Sequence, residues 1–263
     1  MFDFHIHSNV SFDGNDSIDS IAGAAAAAGL REICFCEHIE PAHTYEIDWD
    51  GYVDFDGYTR QIGRAKEKYP SLLIRQGLEA GLAPSSAGQI REYLKNKPID
   101  FVIASQHIVA GEDPYFPSFF EGKTRAEAET LYLKSLLESI EVFDEYSVVG
   151  HIGYVCHYAP YKAPLSYPDY KNLIDRILQT VIDAGKGIEV NASGYYKYGE
   201  PMPTPDIIRR FLELGGEIIT VGSDAHFKEV VGAKYDESIA LLKSLGAKHI
   251  CTFEKMQPVF HKI

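Results

Sequence analysis

Short apolar or alternating runs recur along the chain, and each is followed by a longer stretch of helical period. "FDFHI" predicts a first strand, and residues 17–28 a helix capped by Asp16 or Ser17 and stopped at Gly29. "EICFCEH" (32–38) predicts a second strand, and a loop rich in Tyr, Asp and Gly leads to a helix near 57–69. "LLIRQGLEA" (72–80) predicts the third strand, with a helix near 86–96 after it. "DFVIASQH" (100–107) predicts the fourth. A long insertion around "GEDPYFPSFFEG" then reaches an amphipathic helix near 124–141. "SVVGH" (147–151) and "KGIEVNAS" (186–193) predict strands five and six, separated by a helix over 168–184. Pro205 opens the next helix at a first-turn position, where proline is tolerated. "GEIITVGSDAH" (216–226) predicts the seventh strand and its exit loop, and a helix near 235–245 and a short "KHICTF" strand finish the chain.

Seven apolar strands alternating with helices imply an α/β fold with a parallel sheet. The rhythm has no break, so residues 1–263 read as one barrel domain. A doubly wound open sheet is the alternative. It normally carries a glycine-rich phosphate loop after an early strand, and "SNVSFDGNDS" does not match that pattern.

The strand ends hold the chemistry. His5 and His7 end the first strand, with Asp13 in the loop beyond; Glu37 and His38 end the second, and Glu79 the third. His107, His151 and Asn191 end strands four to six, and Asp224 and His226 follow the seventh. A lone histidine at a strand end is usually a hydrogen-bonded core or surface residue. Here six of the ten histidines fall at strand ends on one face, the face where βα barrels build their sites. Burying six imidazoles and three carboxylates unpaired is unfavourable, and divalent cations resolve it. Nitrogen and carboxylate donors without thiolate suit two or three ions of Zn, Mn or Fe. Asp3 alternates onto the face of His5 and His7, where it would meet a ligand histidine or a basic group.

Composition narrows the picture. The formal net charge of -13 argues against a nucleic-acid partner. No apolar run is long enough for a membrane span, and the start shows no secretion signal. Cys34, Cys36, Cys156 and Cys251 suggest no disulfide framework, which fits a cytoplasmic chain. Cys34 and Cys36 read as small inward residues of a buried strand. Oligomeric state is not legible.

The ordered series His5-x-His7, Glu37-His38, "GLE" at 77–79, "SQH" at 105–107, "GH" at 150–151 and "GSDAH" at 222–226 resembles the PHP family (polymerase and histidinol phosphatase). "GIEVNASG" followed by "LELGGEIITVGSDAH" looks most like its histidinol-phosphatase branch. The resemblance implies a distorted (β/α)7 barrel with two or three ions. By that likeness His5, His7, Glu79 and Asp224 hold the first, and Glu79, His107 and His151 the second. Asp13, His38 and His226 hold the third. Glu37, one residue before His38, would point away and act only in support.

The implied reaction is hydrolysis of a phosphate monoester, with L-histidinol phosphate, an intermediate of histidine biosynthesis, as leading substrate. A hydroxide held between two ions would attack phosphorus, with Glu79 and Asp224 as the catalytic carboxylates. The alternatives are another ester on the same barrel (nucleotide, sugar phosphate, phosphodiester or phosphotyrosine protein) and a non-catalytic metal-binding module. The chain departs from the branch where arginines are common. Cys156 and His157 stand in "HIGYVCHY", and Tyr196 and Lys197 in "NASGYYK". Lys162, Lys197 and Lys228 are then candidate phosphate grips or plain surface lysines, with His157, Asn191 and Ser193 as further candidate contacts. Tyr195, Tyr196, Phe116 and Phe119 would wall the pocket or pack in the core. The 110–123 insertion would be a lid or a packed loop.

Overall fold

A computed structural model describes residues 1–263. Seven parallel strands lie side by side in sequence order: β1 (Phe2–Ile6), β2 (Glu32–Ile39), β3 (Leu73–Gly81), β4 (Phe101–Ser105), β5 (Val148–Val149), β6 (Gly187–Asn191) and β7 (Ile219–Gly222). A doubly wound sheet reverses its order part-way, and this one does not. β1 and β7 close the ring through backbone bonds of the exit loop. The Asp224 amide donates to the His5 carbonyl and the His7 amide to the Ala225 carbonyl, each at 2.8 Å. The result is a distorted (β/α)7 barrel.

Helices α1 (Ile18–Ala27), α2 (Phe55–Lys68), α3 (Ala87–Leu94) and α4 (Arg125–Val142) follow the first four strands. α5 (Tyr154–Tyr158) and α6 (Tyr167–Asp183) follow β5. α7 (Gly194–Tyr198) and α8 (Pro205–Glu213) follow β6, and α9 (Tyr235–Ser244) follows β7. Ser17 caps α1 by accepting from the Ser20 amide, and Thr124 with Glu127 forms a reciprocal capping box on α4. α5 and α7 are absent from the sequence reading because five-residue, tyrosine-rich turns carry no period.

Two apolar layers divide the barrel. Ile33, Phe35, Leu78, Val102, Val149, Ile188 and Val221 face outward onto the helices. Inside lie Phe4, Cys34, Cys36, Phe101, Ile103 and Val148. The two cysteines are small enough for this crowded interior, where a Cβ on Gly77 would meet the Cys34 sulfur at 2.7 Å. A hairpin of β8 (His249–Glu254) and β9 (Gln257–Lys262) covers the start of the strands. Its Cys251 and Phe253 join the interior cluster, with the Phe253 ring 5.0 Å from Phe101. The sequence reading holds only half of this hairpin. Its turn, Lys255–Met256, has φ of 50° and 62°, a conformation that normally advertises itself with Asn-Gly.

A β-bulge corrects the expectation for Asp3. Asp3 lies beside Ile33 but Ile6 lies beside Phe35, so three steps on β1 match two on β2. Phe4 and His5 therefore both turn inward, Phe4 onto Phe101 and His5 onto Glu79. Asp3 turns outward. Its carboxylate accepts from the Ser223 amide (2.9 Å), the Ser223 hydroxyl (2.6 Å) and the Gly232 amide (2.7 Å). It touches neither a histidine ring nor a cation, and burial pushes its pKa up to about 6.

The hairpin's role gives a stability test. Phe253→Ala should lower unfolding free energy by about 3–5 kcal/mol, the usual range for a buried phenylalanine. Urea denaturation measures it, and a loss under about 1 kcal/mol would show the hairpin to be peripheral.

Candidate metal centre

Glu79 ends β3 inside the barrel and is 1% exposed. Its Oε2 lies 3.2 Å from His5 Nε2, from His7 Nε2 and from His38 Nδ1. Its Oε1 lies 2.8 Å from His151 Nε2 and 3.4 Å from His107 Nε2. One carboxylate thus meets imidazoles from four strands. Asp224 Oδ1 is 3.5 Å from both His5 Nε2 and His7 Nε2. Asp13 Oδ2 is 3.4 Å from His38 Nε2 and 3.2 Å from His226 Nε2. The structure therefore brings all nine expected ligand residues to one end of the barrel.

Local backbone aims them. Asp224 sits at φ 59°, a left-handed conformation that aspartate tolerates better than most residues, right after the bond that closes the barrel. Gly222 makes room: a Cβ there would meet the His5 Cβ at 2.4 Å. Glu37 faces away from the cavity, as alternation requires. Its carboxylate accepts from the amides and hydroxyls of Ser8 and Ser11, anchoring the loop that carries Asp13.

Two further carboxylates support the cluster and are missing from the sequence reading. Glu189 Oε1 lies 2.6 Å from His5 Nδ1, and its Oε2 accepts from the His151 amide (2.9 Å) and Asn191 Nδ2 (3.1 Å). Glu40 Oε1 lies 3.1 Å from His107 Nδ1 and packs where Gly81 has no side chain. Both were available from alternation, since Glu189 precedes Asn191 by two residues and Glu40 follows His38 by two. Ser105 Oγ adds a 2.6 Å bond to Glu79 Oε1.

The donor set fits divalent ions. His5 Nε2 and His7 Nε2 face each other at 3.0 Å, and His107 Nε2 and His151 Nε2 at 3.4 Å. Such pairs share at most one useful proton each, so lone pairs converge on the same small volume. Buried Asp13 Oδ1 has no hydrogen-bond partner. Four triads of these side chains have their donor atoms within 4.8 Å of one another. Without metal the charges lean on each other. Burial opposes the Glu79 charge, yet His5, His38 and His107 hold its pKa well below the usual range. Burial likewise opposes charge on His5, but Glu189, Asp224 and Glu79 hold it well above the usual value. His107 shifts up through Glu40 and Glu79 against the same burial penalty. For His226, Asp13 and Asp224 outweigh burial and push it up to about 9.

Above the cluster opens a cavity of about 370 Å³. Phe12, Tyr45, Ile47, Tyr115, Phe116, Tyr154 and Tyr158 wall it, with Glu46 at its side and no lysine or arginine in the lining. None of the six candidate substrate contacts lines it. Lys228 is surface-exposed, with its Nζ 3.4 Å from Asp16, and Lys162 is exposed. Lys197 lies on α7 and His157 on α5, both half-buried outside the wall. Asn191 is fully engaged: its Nδ2 donates to Glu189 and Asp224, and its Oδ1 accepts from the Ser193 amide and hydroxyl. Phe119 is buried in the core, and Tyr195 and Tyr196 lie outside the cavity. The insertion is packed on the barrel and also lines the pocket. Phe119 packs it on the barrel, and Tyr115 and Phe116 reach the pocket.

The PHP domain pattern matches residues 3–193. The chain belongs to the PHP domain family. Histidinol-phosphatase of Lactococcus lactis is 28% identical to this PHP chain over 97% of its length and 95% of the relative's. The crystal structure of histidinol phosphate phosphatase from L. lactis, complexed with zinc, L-histidinol and phosphate, superposes with a TM-score of 0.88. It has 27% identity and covers 98% of both chains. Metal-dependent tyrosine phosphatases from Bacillus subtilis and Streptococcus pneumoniae share the fold, with 18% identity and a TM-score of 0.50; the match covers 94% of this chain and 89% of theirs.

Two outcomes follow for this PHP site. His5, His107 and His226 hold protons near neutral pH when metal-free, and ligation needs neutral imidazole. Zinc uptake at pH 7 should therefore release protons, and apparent affinity should climb as pH rises toward about 9. Calorimetry in buffers of different ionisation enthalpy reads the release. Separately, Glu189→Gln should weaken zinc affinity by about 10–100-fold in a chelator competition, the range for partners of ligand histidines.

Proposed function

We propose that this chain is a metal-dependent phosphoric monoester hydrolase and that its substrate is L-histidinol phosphate. The observation that carries the reading is the convergence of six histidines and two aspartates with Glu79 at one end of the barrel. They lie on a barrel matched along its full length by a histidinol phosphate phosphatase solved with zinc, L-histidinol and phosphate. The groups suggested are His5, His7, Glu79 and Asp224; Glu79, His107 and His151; and Asp13, His38 and His226, with Glu79 shared by the first two. Zinc, manganese or iron would serve such donors. Bound ions would supply Lewis acidity and a water of lowered pKa.

The chain's own residues supply the rest. Asn191 holds Asp224 Oδ2 at 3.1 Å and leaves Oδ1 facing the cluster, where it can help hold an ion and orient a water. Ser105 and the five surrounding imidazoles fix the orientation of Glu79. The aromatic wall gives the pocket an apolar side with room for a small alcohol. With no lysine or arginine in the lining, the phosphoryl charge must be met at the metal cluster rather than by a side-chain grip. No helix is long and apolar enough to cross a membrane. The four cysteines are buried and free, which suits the reducing cytoplasm, where a step of histidine biosynthesis would take place.

A panel of L-histidinol phosphate, a nucleotide, a sugar phosphate, a phosphotyrosine peptide and a phosphodiester tests the substrate. Histidinol phosphate should give the highest kcat/KM, and another ester in that place would overturn the assignment. Chelation should abolish turnover and zinc should restore it; activity surviving complete metal removal would refute the mechanism. Glu79→Gln should cut kcat by roughly 100-fold or more, beyond the range for second-layer partners.

A further inference from the structure

The outer half of the pocket is an aromatic rim assembled from separate loops. Phe12 follows β1, Tyr45 follows β2, Tyr115 and Phe116 come from the insertion after β4, and Tyr154 and Tyr158 lie on α5. The rings touch in series. Centroids are 5.0 Å apart for Phe12 and Tyr45, 6.1 Å for Tyr45 and Phe116, and 5.2 Å for Phe116 and Tyr115. They are 4.9 Å apart for Tyr115 and Tyr158 and 5.2 Å for Tyr158 and Tyr154. Ring contacts alone leave such loops free to shift relative to one another.

Beneath the rim lies Asp113, 2% exposed and outside the cavity lining. Its Oδ2 accepts the Tyr45 hydroxyl at 2.8 Å. Its Oδ1 accepts the Tyr154 hydroxyl at 3.2 Å and the Tyr115 amide at 2.7 Å. Its backbone carbonyl accepts the Phe116 amide at 3.0 Å. A buried carboxylate depends on such bonds to stay charged, here with help from His107. This one spends them on the loops after β2, β4 and β5.

We propose that Asp113 is the positioning residue that sets specificity, by locking three loops into the aromatic rim that grips the alcohol part of the substrate. The proposal rests on the reading of this pocket as a phosphatase site. The phosphoryl end of an ester would sit at Glu79 and the alcohol would meet the rim, so loosening the rim acts on alcohol recognition first. Carboxylate charge behind the rings, with Glu46 at the wall and no lysine or arginine in the lining, favours an alcohol bearing a cation.

The test compares L-histidinol phosphate with ethyl phosphate, whose alcohol offers the rim far less surface and no cation, on the zinc-loaded chain. Asp113→Ala should raise KM for histidinol phosphate by roughly tenfold, the scale of one lost hydrogen bond to a charged group. The kcat/KM ratio of the two esters should fall by a similar factor, with zinc content unchanged. Asp113→Asn keeps one acceptor oxygen and should recover part of the loss. Tyr45→Phe should shift the ratio the same way, and combined with Asp113→Ala should add nothing. If Asp113→Ala does not fold, Tyr45→Phe and Tyr154→Phe, which lose only hydroxyls, decide the matter. An unchanged ratio, or an equal fall for both esters, overturns the role of Asp113 alone. Failure of the zinc-loaded wild type to hydrolyse any ester overturns the phosphatase reading and this proposal with it.

Discussion

Everything at the open end of this barrel answers to one buried carboxylate. Glu79 is 1% exposed at the floor of the pocket, and an isolated charge there would be strongly unfavourable. Five imidazoles and a serine hydroxyl surround it, and these in turn need carboxylates of their own. The demand propagates outward: Glu189 holds His5, Glu40 holds His107, and Asn191 joins Glu189 to Asp224. Most of these groups come from different strands, so the ring of strands must close for the charges to balance. Fold and site are one problem in electrostatics.

The same strands solve a different problem at their other end. There the interior is filled by Phe4, Cys34, Cys36, Phe101 and the hairpin's Phe253, and the one buried carboxylate beside them, Glu32, is paired with Arg75 at 2.6 Å. Polarity changes along each inward face over a residue or two. On β2 the inward series runs from Cys34 and Cys36 to His38, and on β4 from Phe101 and Ile103 to Ser105. The bulge in β1 makes the same change within a single step, since Phe4 and His5 are neighbours that both face in. One extra residue thus lets β1 serve both the apolar floor and the polar mouth.

Much of this was written plainly in the sequence. The seven strands were legible from apolar runs, and the ligand-type residues from their repeated place at strand ends. What was not legible depends on geometry between elements. Strict alternation put Asp3 beside His5, and only the register of β1 against β2 shows otherwise. The lysines after the strands looked like phosphate grips because sequence gives position along a loop, not direction; Lys228 turns to Asp16 instead. Asn191 looked free, but its bonds are consumed by Glu189, Asp224 and Ser193. Glu40 and Glu189 could have been found by counting in twos from His38 and Asn191.

The hairpin of β8 and β9 has a kinetic meaning as well as a structural one. It corks the barrel at the start of the strands, so the pocket has a single doorway. On the reading proposed above, an ester enters phosphate first and comes to rest with its alcohol toward solvent. After cleavage the phosphate lies behind the alcohol. The two products must then depart in a fixed queue, alcohol before phosphate, and the aromatic rim is the gate that both must pass.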